Sequence, residues 1–98
     1  MLGKLTIRMQ KLVDGRDAFG FDVKFDLGDE GVILVSGSSS PIAVSNDDRS
    51  VETSIRISAA DLHAMLAGEL APAMAYMQGK LKVDGDLNQA MQLSSLFA

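Results

Sequence analysis

Apolar and polar residues alternate strictly over residues 19–25, where phenylalanine or valine occupies every second position. This period of two is typical of a strand with one buried face. Residues 32–35 and 42–44 form two further short apolar runs, each preceded by a turn rich in glycine or serine. Because short turns join neighbouring antiparallel strands, the pattern predicts a meander of three strands.

The same alternation returns at residues 51–57 and predicts a fourth strand. The period then changes to that of a helix. Ser58 is a residue type that caps helix N-termini, and Gly68 is suited to end the helix that follows. Pro72 favours the first turn of another short helix, which we expect to end at Gly79.

The two ends of the chain are predicted to be helical. The pattern of residues 2–13 fits a helix better than a strand, because five apolar residues share a helical face and only three alternate. A fifth strand is expected at 81–83, and Asp86 can cap a last helix. The predicted order α-β-β-β-β-α-α-β-α indicates an α+β fold, with a five-stranded mixed sheet covered on one face by helices.

The composition of the chain limits the classes of function that it can have. The chain has 98 residues, 47% of them hydrophobic, which predicts a single domain over 1–98. A net charge of -4 argues against nucleic-acid binding. The lack of cysteine and the single histidine exclude disulfides and multi-histidine metal sites within one chain. Without a signal peptide or a long apolar run, the expected location is the cytoplasm.

The candidate catalytic motifs are incomplete. A small hydrolase would need His63 to reach Ser58, but Asp61 and His63 are two residues apart on a helix and do not face each other. The calcium-loop-like start at Asp84 lacks the required glycine and glutamate. Gly79-Lys80 resembles the end of a phosphate-binding loop, but the glycine that this motif requires five residues earlier is absent. The sequence therefore predicts that the protein is not an enzyme and has no metal or other cofactor.

The segment 67–96 carries the most specific pattern in the chain. It contains a glycine, a proline four residues later, an alanine followed by an aromatic residue, a Gly-Lys-Leu-Lys stretch, and a second glycine followed by aspartate. These elements are Gly68, Pro72, Ala75-Tyr76, Gly79-Lys80-Leu81-Lys82 and Gly85-Asp86. The segment resembles the sterol carrier protein type 2 domain family, and the likeness is strongest over residues 51–96.

This resemblance implies non-enzymatic binding and transfer of a lipid, such as a fatty acid, fatty acyl-CoA or sterol, in an apolar tunnel between sheet and helices. It also suggests a free-standing member of the bacterial type. The alternative is an accessory protein that presents an apolar intermediate, such as a quinone precursor, to biosynthetic enzymes.

Methionines are concentrated in the helical segments of the resembling region, and their flexible side chains adapt to irregular apolar ligands. For any single methionine, the simpler explanation is that it fills space in a small core. Together with the implied tunnel, this pattern predicts a lipid-binding set from both the helices and the inward face of the strands. The set is Phe25, Ile33, Ile57, Leu62, Met65, Leu66, Met74, Tyr76, Met77, Leu87 and Met91.

Charge is distributed unevenly along the chain. The first 13 residues carry Lys4, Arg8 and Lys11 and no acidic residue. A basic amphipathic helix could make transient contact with an anionic membrane, although its apolar face could instead pack on the sheet. A second copy of the chain could close an open tunnel, so a weak homodimer is a further alternative.

Overall fold

A computed structural model describes residues 1–97 and confirms the predicted fold class and element order. The sheet is five-stranded and mixed, and four helices accompany it in the described chain. Short 3-10 turns occur at Gly28–Glu30 and Ser95–Phe97. The elements are α1 Leu2–Val13, β1 Asp22–Asp26, β2 Val32–Ser36, β3 Ala43–Ser45, β4 Thr53–Ile57, α2 Ala59–Leu66, α3 Pro72–Met77, β5 Leu81–Asp84 and α4 Leu87–Ser94.

The strands lie in the order β3-β2-β1-β4-β5. Strands β1, β2 and β3 form the predicted antiparallel meander, β4 pairs in parallel with β1, and β5 is the antiparallel edge strand beside β4. The parallel pair requires the chain to cross from one edge of the sheet to its middle. Two ion pairs stabilise this crossover. Lys24 Nζ lies 2.7 Å from Asp48 Oδ1, and Arg49 Nη2 lies 3.0 Å from Asp22 Oδ2.

All the helices contribute to covering one face of the sheet. Helix α1 contacts β2 and β3, and α2 packs beside α1. Helix α4 contacts β4 and β5, and α3 contacts β5. The apolar stripe of α1 is buried through Leu5, Met9 and Val13, while Ile7, which lies off the stripe, is exposed. The helical cover thus has α1 over β2 and β3, α3 and α4 over β4 and β5, and α2 beside α1.

The first strand is shorter than the alternation predicts. It begins at Asp22, and the rings of the preceding Phe19 and Phe21 pack against each other at an angle of 56°, with centroids 4.7 Å apart. The backbone N–H groups of Phe19 and Gly20 both donate to the Gly37 carbonyl oxygen at 2.9 Å. The Phe19 ring occupies the space that a Cβ of Gly37 would need. The alternation of apolar and polar residues therefore begins before the strand does, because the Phe19 ring faces the core although its backbone is not part of the sheet.

The Asp22 carboxylate joins the turn after β2 to the crossover. It accepts hydrogen bonds from Ser38 Oγ at 2.6 Å, Ser38 N at 3.2 Å and Arg49 Nη2 at 3.0 Å. The Ser38 hydroxyl is the main cause that lowers the pKa of Asp22 below its ordinary value of 3.8, although partial burial opposes it. The ionised form is thus favoured by folding.

Replacing Asp22 by asparagine should lower the free energy of unfolding by about 1–2 kcal/mol at pH 7. Because the pKa is lower in the folded state, this contribution is fully present above the unfolded value and is lost as the pH falls through the folded value. Urea denaturation at pH 7 and pH 3 measures the loss, with the exposed Asp17→Asn as control. An equal deficit at both pH values would contradict the assignment.

Candidate functional site

An apolar cavity of about 260 Å³ lies between α3, α4 and the part of the sheet formed by β4 and β5. Its lining combines sheet residues with residues of both helices and of the C-terminal 3-10 turn. The lining residues are Phe25, Ile55, Met65, Pro72, Ala73, Tyr76, Met77, Leu81, Val83, Leu87, Ala90, Met91, Leu93, Ser94 and Phe97.

The sheet forms the inner wall of the cavity. Phe25 and Ile55 are buried neighbours on β1 and β4, and Leu81 and Val83 extend the wall along β5. The ring of Phe97 meets Phe25 edge-on, with centroids 6.3 Å apart and an angle of 71°. Because β5 is the edge strand, the cavity lies at the border of the sheet, where it can open to the surface.

Local sequence signals place α4 over this wall. Gly85 turns the chain with a φ of +117°, and Asp86 Oδ1 accepts from Asn88 N at 2.9 Å as the N-cap. Thr53 is fully buried, and its hydroxyl accepts from Asp86 N at 3.2 Å and lies 2.7 Å from Gln89 Oε1, to which it donates. These bonds tie the start of α4 to β4, so that the apolar face of the helix lies above the cavity.

Four large apolar residues both line the cavity and are exposed. The exposed fractions are 78% for Met77, 62% for Met91, 51% for Tyr76 and 43% for Leu87. Large apolar side chains are rarely left this accessible in one small region. Since they belong to the cavity wall and also to the surface, they form its opening.

The lining carries very few polar groups. None of the lining side chains among the described residues is charged. The hydroxyl of Ser94 donates to the Met91 carbonyl oxygen at 2.6 Å and is therefore already paired within α4. The phenol of Tyr76 lies at the opening. The cavity can thus hold an apolar group, but it has no charged partner for a headgroup.

The structure brings six of the predicted lipid-binding residues together around this cavity. They come from β1, α2, α3 and α4, and every one of them lines the wall or the opening. The six are Phe25, Met65, Tyr76, Met77, Leu87 and Met91.

The other five predicted residues lie outside the cavity lining. Ile33, Ile57 and Leu62 are buried in the core, Leu66 is half-buried, and Met74 is 47% exposed. The inward face of β2 is covered by α1, which fills the space above Ile33. Alternation identifies the buried face of a strand, but it does not say which helix covers it.

Residues missed by sequence reasoning include small side chains as well as large ones. Ala73, Ala90 and Ser94 leave room for the cavity because they are small. The helical spacing that relates Leu87 and Met91 to Ala90, Ser94 and Phe97 was visible in the sequence and would have found these last three. The remaining missed residues are Ile55, Pro72, Leu81, Val83 and Leu93.

The hydrolase alternative finds no support in the geometry. Ser58 Oγ accepts from Asp61 N at 3.1 Å and acts as the N-cap of α2. Arg8 Nη1 lies 2.9 Å from His63 Nδ1, and because arginine can only donate, this nitrogen is the acceptor. Both side chains therefore have structural partners. The described residues include no group of three or more potential metal-ligating His, Cys, Asp or Glu side chains.

A second recess of about 320 Å³ lies at the end of β4 and β5 nearest α2. Its wall is partly apolar, and it includes the charged residues Asp26, Arg56, Lys80 and Lys82. Lys80 and Lys82 are exposed, and they do not line the apolar cavity. Within residues 1–97, moreover, no helix has the length and apolar character needed to cross a membrane.

Comparisons with known proteins agree with this geometry. A model of the SCP-2 sterol transfer family matches residues 9–98. Sterol carrier protein 2 of Gallus gallus is 33% identical over 81 residues, which cover 80% of this chain and 15% of the relative. The chain therefore spans only a small part of the length of that relative.

Solved structures share the fold. Sterol carrier protein 2 like 2 from Aedes aegypti has a TM-score of 0.76 and 19% identity, with 96% of this chain and 94% of that chain covered. The palmitated form of the same protein has a TM-score of 0.68 and 17% identity, with 98% and 89% covered. The UbiJ-SCP2 ubiquinone synthesis protein has a TM-score of 0.69 and 12% identity, with 98% and 90% covered. On the strength of the family match over residues 9–98, this chain belongs to the SCP-2 sterol transfer family.

Proposed function

We propose that this protein binds and transfers lipids whose apolar chain enters the cavity between the sheet and helices α3 and α4. The observation that carries the proposal is the cavity itself, whose lining is uncharged and almost wholly apolar. Family membership supports the same function, and the Aedes aegypti relative has a palmitated form. The exposed methionines at the opening are flexible enough to admit ligands of different shape.

The energetics of an acyl chain suit a carrier. Each buried methylene contributes about 0.8 kcal/mol, so a chain of about 15 methylenes gives roughly 12 kcal/mol before costs. Ordering the ligand and the protein costs about 4–15 kcal/mol, and at the low end of this cost about 8 kcal/mol remains, which corresponds to micromolar binding. A bilayer buries the same chain equally well. The free-energy change for moving the lipid from bilayer to protein is therefore close to zero, and the protein can both take up and release its lipid.

The volume of the cavity indicates that it adapts to its ligand. About 260 Å³ is slightly below the range of roughly 300–1,000 Å³ typical of small-molecule pockets. Met77 and Met91 lie at the opening and are largely exposed, so they can change rotamer without leaving an empty core. A long chain would enter as these side chains move apart, and the site would extend into the predicted tunnel.

Native mass spectrometry of freshly purified protein, followed by solvent extraction, tests the proposal. We expect a lipid bound in a ratio of one per chain, or uptake of one fatty acid when the apo protein is offered it. The extracted compound also distinguishes a fatty acid from a sterol. A chain that carries nothing and takes up no fatty acid, sterol or quinone precursor would overturn the proposal.

A second candidate is an accessory protein that presents an apolar biosynthetic intermediate to enzymes. The observation that favours it is that none of the described lining side chains is charged, because such a cavity accepts any apolar chain of suitable shape. The UbiJ-SCP2 ubiquinone synthesis protein has the same fold. Recovery of a quinone precursor as the bound compound, together with pull-down of biosynthetic enzymes, would favour this role over general lipid transfer.

Either role is non-catalytic. Among the described residues, the lining has the hydroxyl groups of Ser94 and Tyr76 and no histidine, aspartate or glutamate side chain that could act as a base. A carrier of this kind would operate in the cytoplasm. An ester-cleaving activity that is lost in His63→Ala would contradict the non-catalytic assignment.

A further inference from the structure

The two helices that form the cavity opening carry no charge. Residues 70–79 and 87–97 contain no Asp, Glu, Lys or Arg, in a chain of which 22% of the residues are charged. Five of their exposed side chains are large and apolar, and the exposed polar ones, such as Gln78, Asn88 and Gln92, are uncharged. Met74 is not part of the lining, but it lies three residues before Met77 and is its neighbour on the helix surface. We call this exposed set the rim, and it consists of Met74, Tyr76, Met77, Leu87 and Met91.

Helix α1 is different in this respect. Its apolar stripe packs on the core, and Arg8 is engaged with His63, so its free surface consists largely of Lys4, Lys11 and Ile7. Such a helix can approach an anionic surface by its charge, but it has no apolar face left to insert. The apolar surface that is free to insert therefore lies around the cavity opening.

We propose that the rim docks directly on a lipid bilayer and that this contact is the step at which lipid enters and leaves the cavity. The inference rests on the proposed function. Docking would bury methionine and leucine side chains without removing water from any charge, and tyrosine is favoured at the border between headgroups and acyl chains. The same residues line the opening, so an acyl chain could pass from bilayer to cavity without crossing water.

The charges around the rim indicate what kind of bilayer it fits. Lys80 follows α3 and Asp86 precedes α4, so the rim has a cation at one border and an anion at another. The whole chain has a net charge of -4, which disfavours approach to an anionic surface. Docking should therefore depend on apolar contact, proceed on zwitterionic phosphatidylcholine, and change little with salt.

Flotation with phosphatidylcholine vesicles tests this surface. Met74→Glu should lower the vesicle partition coefficient by about tenfold or more, because it replaces an inserting apolar side chain by a charge. Ile7→Glu is a matched control, since Ile7 on α1 is 59% exposed and Met74 on α3 is 47% exposed. The control should float like the unmodified chain, as should a variant with Lys4 and Lys11 changed to glutamine.

Binding of a fluorescent fatty acid in solution separates the two proposals. Met74→Glu should retain this binding, because Met74 does not line the cavity. If the unmodified chain binds no fatty acid in solution, the proposed function fails. If it binds fatty acid but Met74→Glu floats normally, or if Ile7→Glu or loss of the α1 lysines abolishes flotation, docking through the rim fails.

A second copy of the chain is the competing occupant of the rim. Analytical ultracentrifugation without lipid would detect it as a dimer. If the unmodified chain forms a dimer that Met74→Glu dissociates, and if it does not partition into vesicles, bilayer docking is overturned and the rim is a subunit interface.

Discussion

Replacing Ala90 by phenylalanine is expected to weaken lipid binding by about a hundredfold. Ala90 is a buried residue of α4 that lines the cavity, and its small side chain leaves part of the enclosed volume free. A benzyl group there would occupy space that we assign to the ligand. If it displaces about four methylenes of an acyl chain, the loss is about 3 kcal/mol, or roughly a hundredfold in affinity.

The same substitution should have little effect on folding. The new ring enters existing apolar space, and filling a cavity often stabilises a protein. Ala60→Phe is the matched control, because Ala60 is exposed on α2 and does not line the cavity. Fatty-acid titration and thermal unfolding of both variants give the comparison. If Ala90→Phe remains folded and binds fatty acid as tightly as Ala60→Phe does, the cavity is not the binding site.

Replacing Gly85 by alanine is expected to cause the largest loss of stability. Gly85 has a φ of +117°, and an added Cβ would overlap the Glu52 carbonyl oxygen and lie 2.9 Å from Thr53 Cα. Both obstacles are backbone atoms and cannot turn aside as a side chain can. We expect the free energy of unfolding to fall by about 3–4 kcal/mol, the sum of backbone strain and the displacement of β4 from the turn.

Gly15→Ala is the control for this effect. Gly15 also has a positive φ, of +77°, but no atom lies within 4 Å of its ideal Cβ position. It should lose only about 1 kcal/mol, which is the cost of the backbone conformation alone. Urea denaturation of both variants measures the difference. Equal losses would show that the close approach of Gly85 to β4 is not what constrains this turn.

The effect of Gly85 bears on function because this turn sets the position of α4. Gly85 lies between the edge strand and the N-cap Asp86, and Thr53 binds the chain immediately after it. A shift of the turn would move Leu87 and Met91 at the cavity opening. Lipid binding by Gly85→Ala should therefore weaken even at temperatures where the variant is still folded.

The sequence predicted the site unevenly. Helical spacing in α4 and the aromatic and methionine residues of α3 led to Tyr76, Met77, Leu87 and Met91, all of which line the opening. The strand residues were harder to predict. Phe25 and Ile33 both face inward and pair with each other across β1 and β2, yet only Phe25 reaches the cavity.

The difference between Phe25 and Ile33 depends on what lies above the sheet. Helix α1 packs over β2 and β3, so the space next to Ile33 is filled by the core. Phe25 lies toward β4, where α4 and the 3-10 turn stand over the sheet and Phe97 meets its ring. Packing between elements far apart in sequence is not encoded in any local period.

Local periodicity and turn chemistry determined the helices and strands of this protein, their order and the inward face of those strands whose apolar and polar residues alternate. These properties depend on residues close together in the chain, such as the proline at the start of α3 and the aspartate that caps α4. The tertiary structure alone decided which half of the sheet holds the cavity and which apolar residues remain exposed. It did so because α1 buries its apolar stripe on one half of the sheet, while α3 and α4 stand over the edge strand and leave their rim uncovered.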